Sequence, residues 1–207
     1  DRFNGAQADL PYRFALYRVN TDPVAISVGG SNPALAPSLI AGPITGQALD
    51  LRGAEHIEVA DDAALNMIGS VTTELWVKLD RFANTWTPIL GKTDGDGGRT
   101  YGMWINANGS LYSSASRASG GIDSISSAAG VIQTGTWAHV AAVHDRAAGQ
   151  MRLYVNGVLV REGGMTTGVG LPTTGPLHIG WSPEVGTDYG AFEGSIDDVR
   201  IWSGARS

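Results

Sequence analysis

The chain has 207 residues with 29 Gly, 9 Pro, 6 Trp and no Cys, and its 20 Asp+Glu against 14 Lys+Arg give a net charge of −6. Scattered glycine without a G-X-Y period excludes collagen, a 43% hydrophobic content excludes a disordered chain, and no run of about 18 apolar residues is present to make a membrane-spanning helix. Without cysteine there are no disulfides, thiolate zinc sites or cysteine nucleophiles, and an acidic balance with no basic cluster argues against a nucleic-acid partner.

Residues 1–40 differ in character from the rest. Tyr12–Val19 alternates imperfectly in the manner of a strand, and Val24–Val28 follows it. Gly29–Gly46 then carries Pro33, Pro37 and Pro43 and no charge, which reads as a linker or an extended edge segment. The expectation is an N-terminal extension over 1–40, either edge strands or a linker from a preceding domain, and one domain over 41–207. The opening Asp1 and the abrupt end suggest a segment of a longer protein.

Further along, Asp61 or Asp62 is placed to cap a single helical turn carrying Leu65 and Met67. Val71–Leu79 predicts a strand with Val71, Thr73, Leu75, Val77 and Leu79 on one face and Glu74, Trp76 and Lys78 on the other. Asn108-Gly109 predicts a tight turn between Tyr101–Asn106 and Ser110–Ser116. In Trp137–Asp145 both faces are small or apolar, as in a central strand. Asn156-Gly157, between Gln150–Asn156 and Val158–Glu162, is the dipeptide of a type I′ hairpin turn, whose two central residues both need positive φ. Glu193–Trp202 predicts the last strand, with Ile196, Asp198, Arg200 and Trp202 on one face and Asp197, Val199 and Ile201 on the other. Strands at this spacing, with turn residues between them, predict an all-β fold: a two-sheet antiparallel β-sandwich or jelly roll.

Gly46–Leu51, His56–Val59, Thr73–Lys78, Gly135–Ala141, Leu153–Val160, Leu177–Gly180 and Gly194–Trp202 carry, in order, a resemblance to the laminin-G-like, concanavalin A-like jelly-roll family. The resemblance implies a structural Ca²⁺ tying the opening strand to the closing one. Its ligands would be the Asp197 side chain, carbonyls near Arg52 and Gly53, and Asp50. One or two carboxylates with carbonyls and water suit that ion. Trp76, Trp137 and Trp202 fall at positions that resemble the family core and are expected to be buried there.

Glycoside hydrolases share the architecture and work through paired carboxylates. The Glu-x-Asp-x-x-Glu motif of the related glucanases is missing. Glu193 and Asp197 share a strand face but lie about 13 Å apart at about 3.3 Å per residue, too far for a catalytic pair. Asp94-Gly95-Asp96-Gly97-Gly98 has too few ligands for an EF-hand and reads as a solvated hairpin loop or a weak surface site. His56, His139, His144 and His178 show no metal-pair spacing and are expected to be structural. Trp86, Trp181 and Tyr189 sit in loop-like contexts, with Asp188 beside Tyr189. An exposed ring next to a carboxylate suits a sugar, stacking on its C–H face while the acid takes a hydroxyl.

The sequence therefore predicts a non-catalytic recognition module of an extracellular or cell-surface multidomain protein, with a bacterial surface protein as the expected setting. It would bind carbohydrate or a surface glycoconjugate through Trp86, Trp181, Asp188, Tyr189, Asp94 and Asp96, with Ca²⁺ holding the strand ends and neighbouring domains as partners. The alternatives are a structural spacer or interaction domain of an adhesin, toxin or enzyme, and an unusual glycoside hydrolase.

Overall fold

The computed structural model describes residues 26–29, 38–41, 47–52, 55–82, 85–95, 98–184 and 190–207. The expected strand Tyr12–Val19 lies outside them. Fourteen strands pair antiparallel in two seven-stranded sheets among the described residues. The first sheet runs in the order β1 (Ile26–Gly29), β4 (His56–Val59), β13 (Leu177–Ile179), β6 (Trp86–Thr93), β7 (Arg99–Asn106), β8 (Leu111–Ser116) and β9 (Ile122–Ser126). The second runs β12 (Val158–Gly164), β11 (Gln150–Val155), β10 (Ala138–Asp145), β5 (Val71–Leu79), β14 (Glu193–Trp202), β3 (Gln47–Arg52) and β2 (Ser38–Ala41). Strands far apart in the chain are neighbours, as in a jelly roll. β1 and β2 are the outermost strands of opposite sheets.

Alternation explains the two-layer packing. In β5 the odd-numbered residues Val71 to Leu79 are all buried, as expected, and Ile57 and Val59 of β4 and Leu177 and Ile179 of β13 turn inward from the facing sheet. The core between the sheets is aliphatic, with Tyr101 and Phe192 its aromatic members. The Tyr101 hydroxyl donates to the Leu65 carbonyl at 3.0 Å, so the buried ring satisfies its polar end. Leu65 belongs to a 3-10 turn, Ala63–Leu65, capped by the Asp62 side chain accepting from Ala64 N. Lys92, fully buried at the end of β6, donates to Asp61 Oδ1 (2.6 Å) and to the carbonyls of Thr173 (2.9 Å) and Gly175 (2.5 Å). That set of acceptors is what permits a charged amine there.

The Asn156-Gly157 hairpin forms with φ of 51° and 77°, both in the left-handed region. At Asn108-Gly109 the turn is tight but only Gly109 takes positive φ. The face assignment of β14 changes. Asp197 pairs with Trp76 and Arg200 with Glu74, so two residues on β14, Asp198 and Val199, oppose one on β5, Leu75. The extra residue is Asp198, with φ of 51°. This bulge puts Ile196, Val199 and Ile201 in the core and turns Asp197, Arg200 and Trp202 outward.

The expectation for Trp76, Trp137 and Trp202 is also corrected. All three are half-buried on the outer face of the second sheet. Their indoles lie among polar partners that an aliphatic core lacks: the Trp202 N–H donates to Glu74 Oε1 at 2.9 Å, and the Trp76 ring meets His139 edge-on at 5.4 Å. Lys78 stands 5.5 Å over Trp137, and Arg206 stands 4.1 Å over Trp202.

Candidate functional site

Inward-facing aliphatic residues fix what lies on the outside of the first sheet. With Ile57, Val59, Leu177 and Ile179 in the core, His56, Glu58 and His178 must face outward. The register lines up Glu58, His178, Gly91, Gly102, Ser114 and Ser124 in one row across six strands. Two glycines at the centre leave the sheet surface bare. The Trp104 ring fills the gap: a Cβ on Gly102 would fall inside the ring, and one on Gly91 would stand 4.0 Å from it.

Arg99 lies over the Trp104 ring, with its guanidinium 4.7 Å from the ring centroid. Both Arg99 Nε and Nη2 donate to the Glu184 carboxylate, the second at 2.7 Å, and Nη1 donates to Ser114 Oγ at 3.0 Å. The chain at 181–184, just after β13, is thereby strapped to β7 and β8. The Gly180 N–H donates to the Ile89 carbonyl, and the Gly190 N–H donates to the Trp86 carbonyl. Trp104 is left only 2% exposed, and its N–H has no partner among the described residues.

Aromatic rings form two clusters on this face, the second including Trp181 of the strap itself. In the first, Tyr112 meets Trp104 edge-on at 5.9 Å and Trp86 tilts over Tyr112 at 4.8 Å. Trp86 and Tyr112 are both half-buried. In the second, Trp181 stacks on His56, with centroids 4.9 Å apart and planes 23° apart, and meets His178 edge-on at 4.8 Å. His178 is 2% exposed, and burial pushes its pKa down to about 4, with His56 and Lys92 adding to the effect. It is neutral at physiological pH.

Trp86 and Trp181, expected from the sequence as ligand-binding rings, are thus brought to one sheet face. Trp86 opens β6 rather than lying in a loop. Asp94 is exposed in the β6–β7 turn, which touches the strap where Gly95 packs by Pro183. Asp96, Asp188 and Tyr189 lie outside the described residues, as does Gly53 of the expected metal set. Asp50 is buried and accepts from Arg52 Nε at 2.9 Å and from Ser195 Oγ at 3.3 Å. Asp197 is half-buried, accepts from Asp198 N at 2.8 Å, and is pushed above the usual carboxyl range by burial and by the neighbouring Asp198.

Sequence reading missed Trp104, Tyr112, His56, Glu58 and His178 as members of this face. The signal was the alternation around Ile57 and Ile179, together with a glycine in the middle of each of two paired strands. On the second sheet Glu74 collects the Trp202 N–H, His139 Nε2 at 3.4 Å and Arg200 at 3.8 Å, and these partners hold its carboxyl below the usual range. Lys78, on the same face of β5, stands over Trp137.

A family model described as the concanavalin A-like lectin/glucanases superfamily matches residues 51–207. No curated protein matches the chain. Among solved structures, the binding domain of botulinum neurotoxin serotype G superposes with a TM-score of 0.67 at 14% identity, over 89% of this chain and 44% of that one. The ligand-binding domain of botulinum neurotoxin serotype D in complex with N-acetylneuraminic acid gives 0.64 at 16% identity, over 89% and 44%. Domain 4 of AbnA, a GH43 extracellular arabinanase from Geobacillus stearothermophilus, in complex with arabinotriose, gives 0.58 at 24% identity, over 88% and 84%. The chain spans less than half the length of the toxin domains and most of the arabinanase domain. At these identities the likeness is one of fold.

Proposed function

The chain belongs to the concanavalin A-like lectin/glucanases superfamily, and on that premise we propose that it is a non-catalytic carbohydrate-binding module. One observation carries the reading. Trp86, Tyr112 and Trp181 stand half-buried on one sheet face, Trp86 and Tyr112 against each other and Trp181 against His56. Rings fixed at their edges and open to solvent are suited to stack on the apolar face of a sugar. Domains of this fold in complex with arabinotriose and with N-acetylneuraminic acid support the substrate class.

The state of the carboxylates supports the non-catalytic part. A glycosidase needs an acid whose pKa is raised so that it can protonate the leaving group. Glu74 and Glu193 are held below the usual range, Glu74 chiefly by His139 and Glu193 by Arg81, and Asp197, whose carboxyl is raised by burial, lies about 13 Å along the strand from Glu193, too far for a catalytic pair. Glu184 is bound by Arg99.

A structural Ca²⁺ belongs to the same proposal. The fit rests on Asp197, whose half-buried carboxyl beside Asp198 would be relieved by a cation. Carboxylate and carbonyl oxygens suit this hard ion. Asp197 would hold it; the Arg52 carbonyl lies opposite Glu193, four residues or about 13 Å along β14 from Asp197, and does not reach the same ion, and Asp50, opposite Ser195, is already held by Arg52. The setting proposed is extracellular, among other domains of a larger chain. No helix among the described residues is long and apolar enough to cross a membrane.

A glycan array followed by calorimetry on the best ligand tests the reading. Trp86→Ala and Trp181→Ala are each expected to weaken binding by about tenfold or more, as truncated aromatic anchors do, while the fold is retained by circular dichroism. Absence of any glycan ligand, or full binding by both variants, would favour a structural spacer. A thermal melt with Ca²⁺ and with EDTA, on the wild type and Asp197→Ala, tests the ion. A rise with Ca²⁺ that the variant lacks is expected.

A further inference from the structure

His56, Glu58 and His178 meet on the outer face of the first sheet. His56 and Glu58 are two apart on β4 and therefore share a face, and His178 is the cross-strand partner of Glu58 on β13. One ligand atom from each lies within 4.8 Å of the other two. His178 Nδ1 is 3.9 Å from Glu58 Oε2.

A second observation points the same way. His178 is 2% exposed, and its Nδ1 has no hydrogen-bond partner among the described residues. A buried imidazole nitrogen left without a partner is costly. It is aimed toward a carboxylate that stops short of hydrogen-bond distance. A cation between the two would give the His178 nitrogen the partner it lacks.

We propose that His56, Glu58 and His178 form a binding site for a borderline divalent transition-metal ion of the Zn²⁺ class. Two imidazoles and one carboxylate are a donor set for Zn²⁺, Cu²⁺ or Ni²⁺ rather than for Ca²⁺ or Mg²⁺, which take oxygen. Tetrahedral coordination at about 2.0–2.1 Å places ligand atoms about 3.4 Å apart. The observed separations close to that value by side-chain rotation of His56 and Glu58, which are half-buried, while His178 stays fixed. Trp181 stacked on His56 does not obstruct the site, because metals bind imidazole in the ring plane and the stack covers its face. Three protein ligands leave a position for water or another ligand, as in open zinc sites. The ion is distinct from the Ca²⁺ proposed at Asp197, which lies on the other sheet.

The inference goes beyond the carbohydrate reading and is tested without sugar. The 207-residue chain is stripped with chelator, dialysed, and titrated with Zn²⁺ by calorimetry. One equivalent is expected to bind. Glu58→Gln and His56→Gln are expected to weaken binding by about tenfold or more each, since even outer partners of a ligand cost 10–100-fold. His139→Gln, on the second sheet, is expected to bind as the wild type does. His178→Gln is a third variant, read only where circular dichroism shows a native fold. Cu²⁺ is expected to quench tryptophan fluorescence, with part of the quenching lost in Trp181→Phe. No saturable Zn²⁺ binding, or binding that survives Glu58→Gln and His56→Gln unchanged, would overturn the proposal. Glycan binding that persists after chelation leaves the carbohydrate reading standing whichever way the metal result falls.

Discussion

Acidification isolates one buried histidine. His144 on β10 points into the core, 2% exposed, and its Nε2 shares a 2.8 Å hydrogen bond with Ser113 Oγ on β8, across the two sheets. Burial pushes its pKa down to about 3, helped by Arg146 and opposed by Asp123. The folded state therefore keeps His144 neutral, while the unfolded chain protonates it near the ordinary histidine value of 6.5. Between those two values the unfolded state binds more protons, so stability falls as pH falls, at about 1.4 kcal/mol per unit. From about pH 7 to about pH 4.5 the loss from this residue is about 2.5 kcal/mol. His144→Gln removes the titration. Its absolute stability is lower at both pH values, but its pH dependence should be shallower than that of the wild type by that amount. His178 and the carboxylates contribute equally to both proteins and cancel. Urea unfolding followed by tryptophan fluorescence at the two pH values measures the difference. Equal losses in the two proteins, within about 0.5 kcal/mol, would refute the assignment of the acid sensitivity to His144.

Gly102→Ala places a methyl group inside the Trp104 ring and should cost about 1–3 kcal/mol by overpacking, read as a lower urea midpoint and altered near-ultraviolet dichroism. Arg99→Met leaves the almost buried Glu184 carboxylate unpaired and should cost about 3–5 kcal/mol. Arg99→Met combined with Glu184→Leu should be less damaging than Arg99→Met alone, because no buried charge remains. Asn156→Ala forces an L-alanine into φ of 51° and removes the acceptor for His139 N, so it should cost about 1–2 kcal/mol by chemical denaturation.

Local chemistry made the strands and hairpins legible. Val71–Leu79 alternates strictly because one face meets the other sheet, and Asn156-Gly157 names its own turn. One inserted residue was not legible. Asp198 has no sequence mark that sets it apart from Asp197, yet it reverses the faces of everything after it in β14. Trp76, Trp137 and Trp202 misled because a large apolar ring in a strand suggests a core. Here aliphatic side chains fill the core, and the indoles lie outside with Glu74, His139, Lys78 and Arg206 as neighbours. Trp86 and Trp181 were found as rings, but their meeting on one face depends on β13 lying between β4 and β6. The same ordering brings His178 to His56 from 122 residues away, and no spacing rule reaches that far.

The outermost positions of β1 and β2 bear on how the protein can be cut. The family match starts at residue 51, inside β3. A fragment begun there would discard β1 and β2, break β3 in the middle, and lose Asp50 with its link to Ser195. β4 and β14 would then present unpaired amides and carbonyls along one side of both sheets. Open strand edges of that kind recruit further strands from other molecules. Insoluble or oligomeric material from such a fragment would report exposed edges rather than a defect in the sandwich itself.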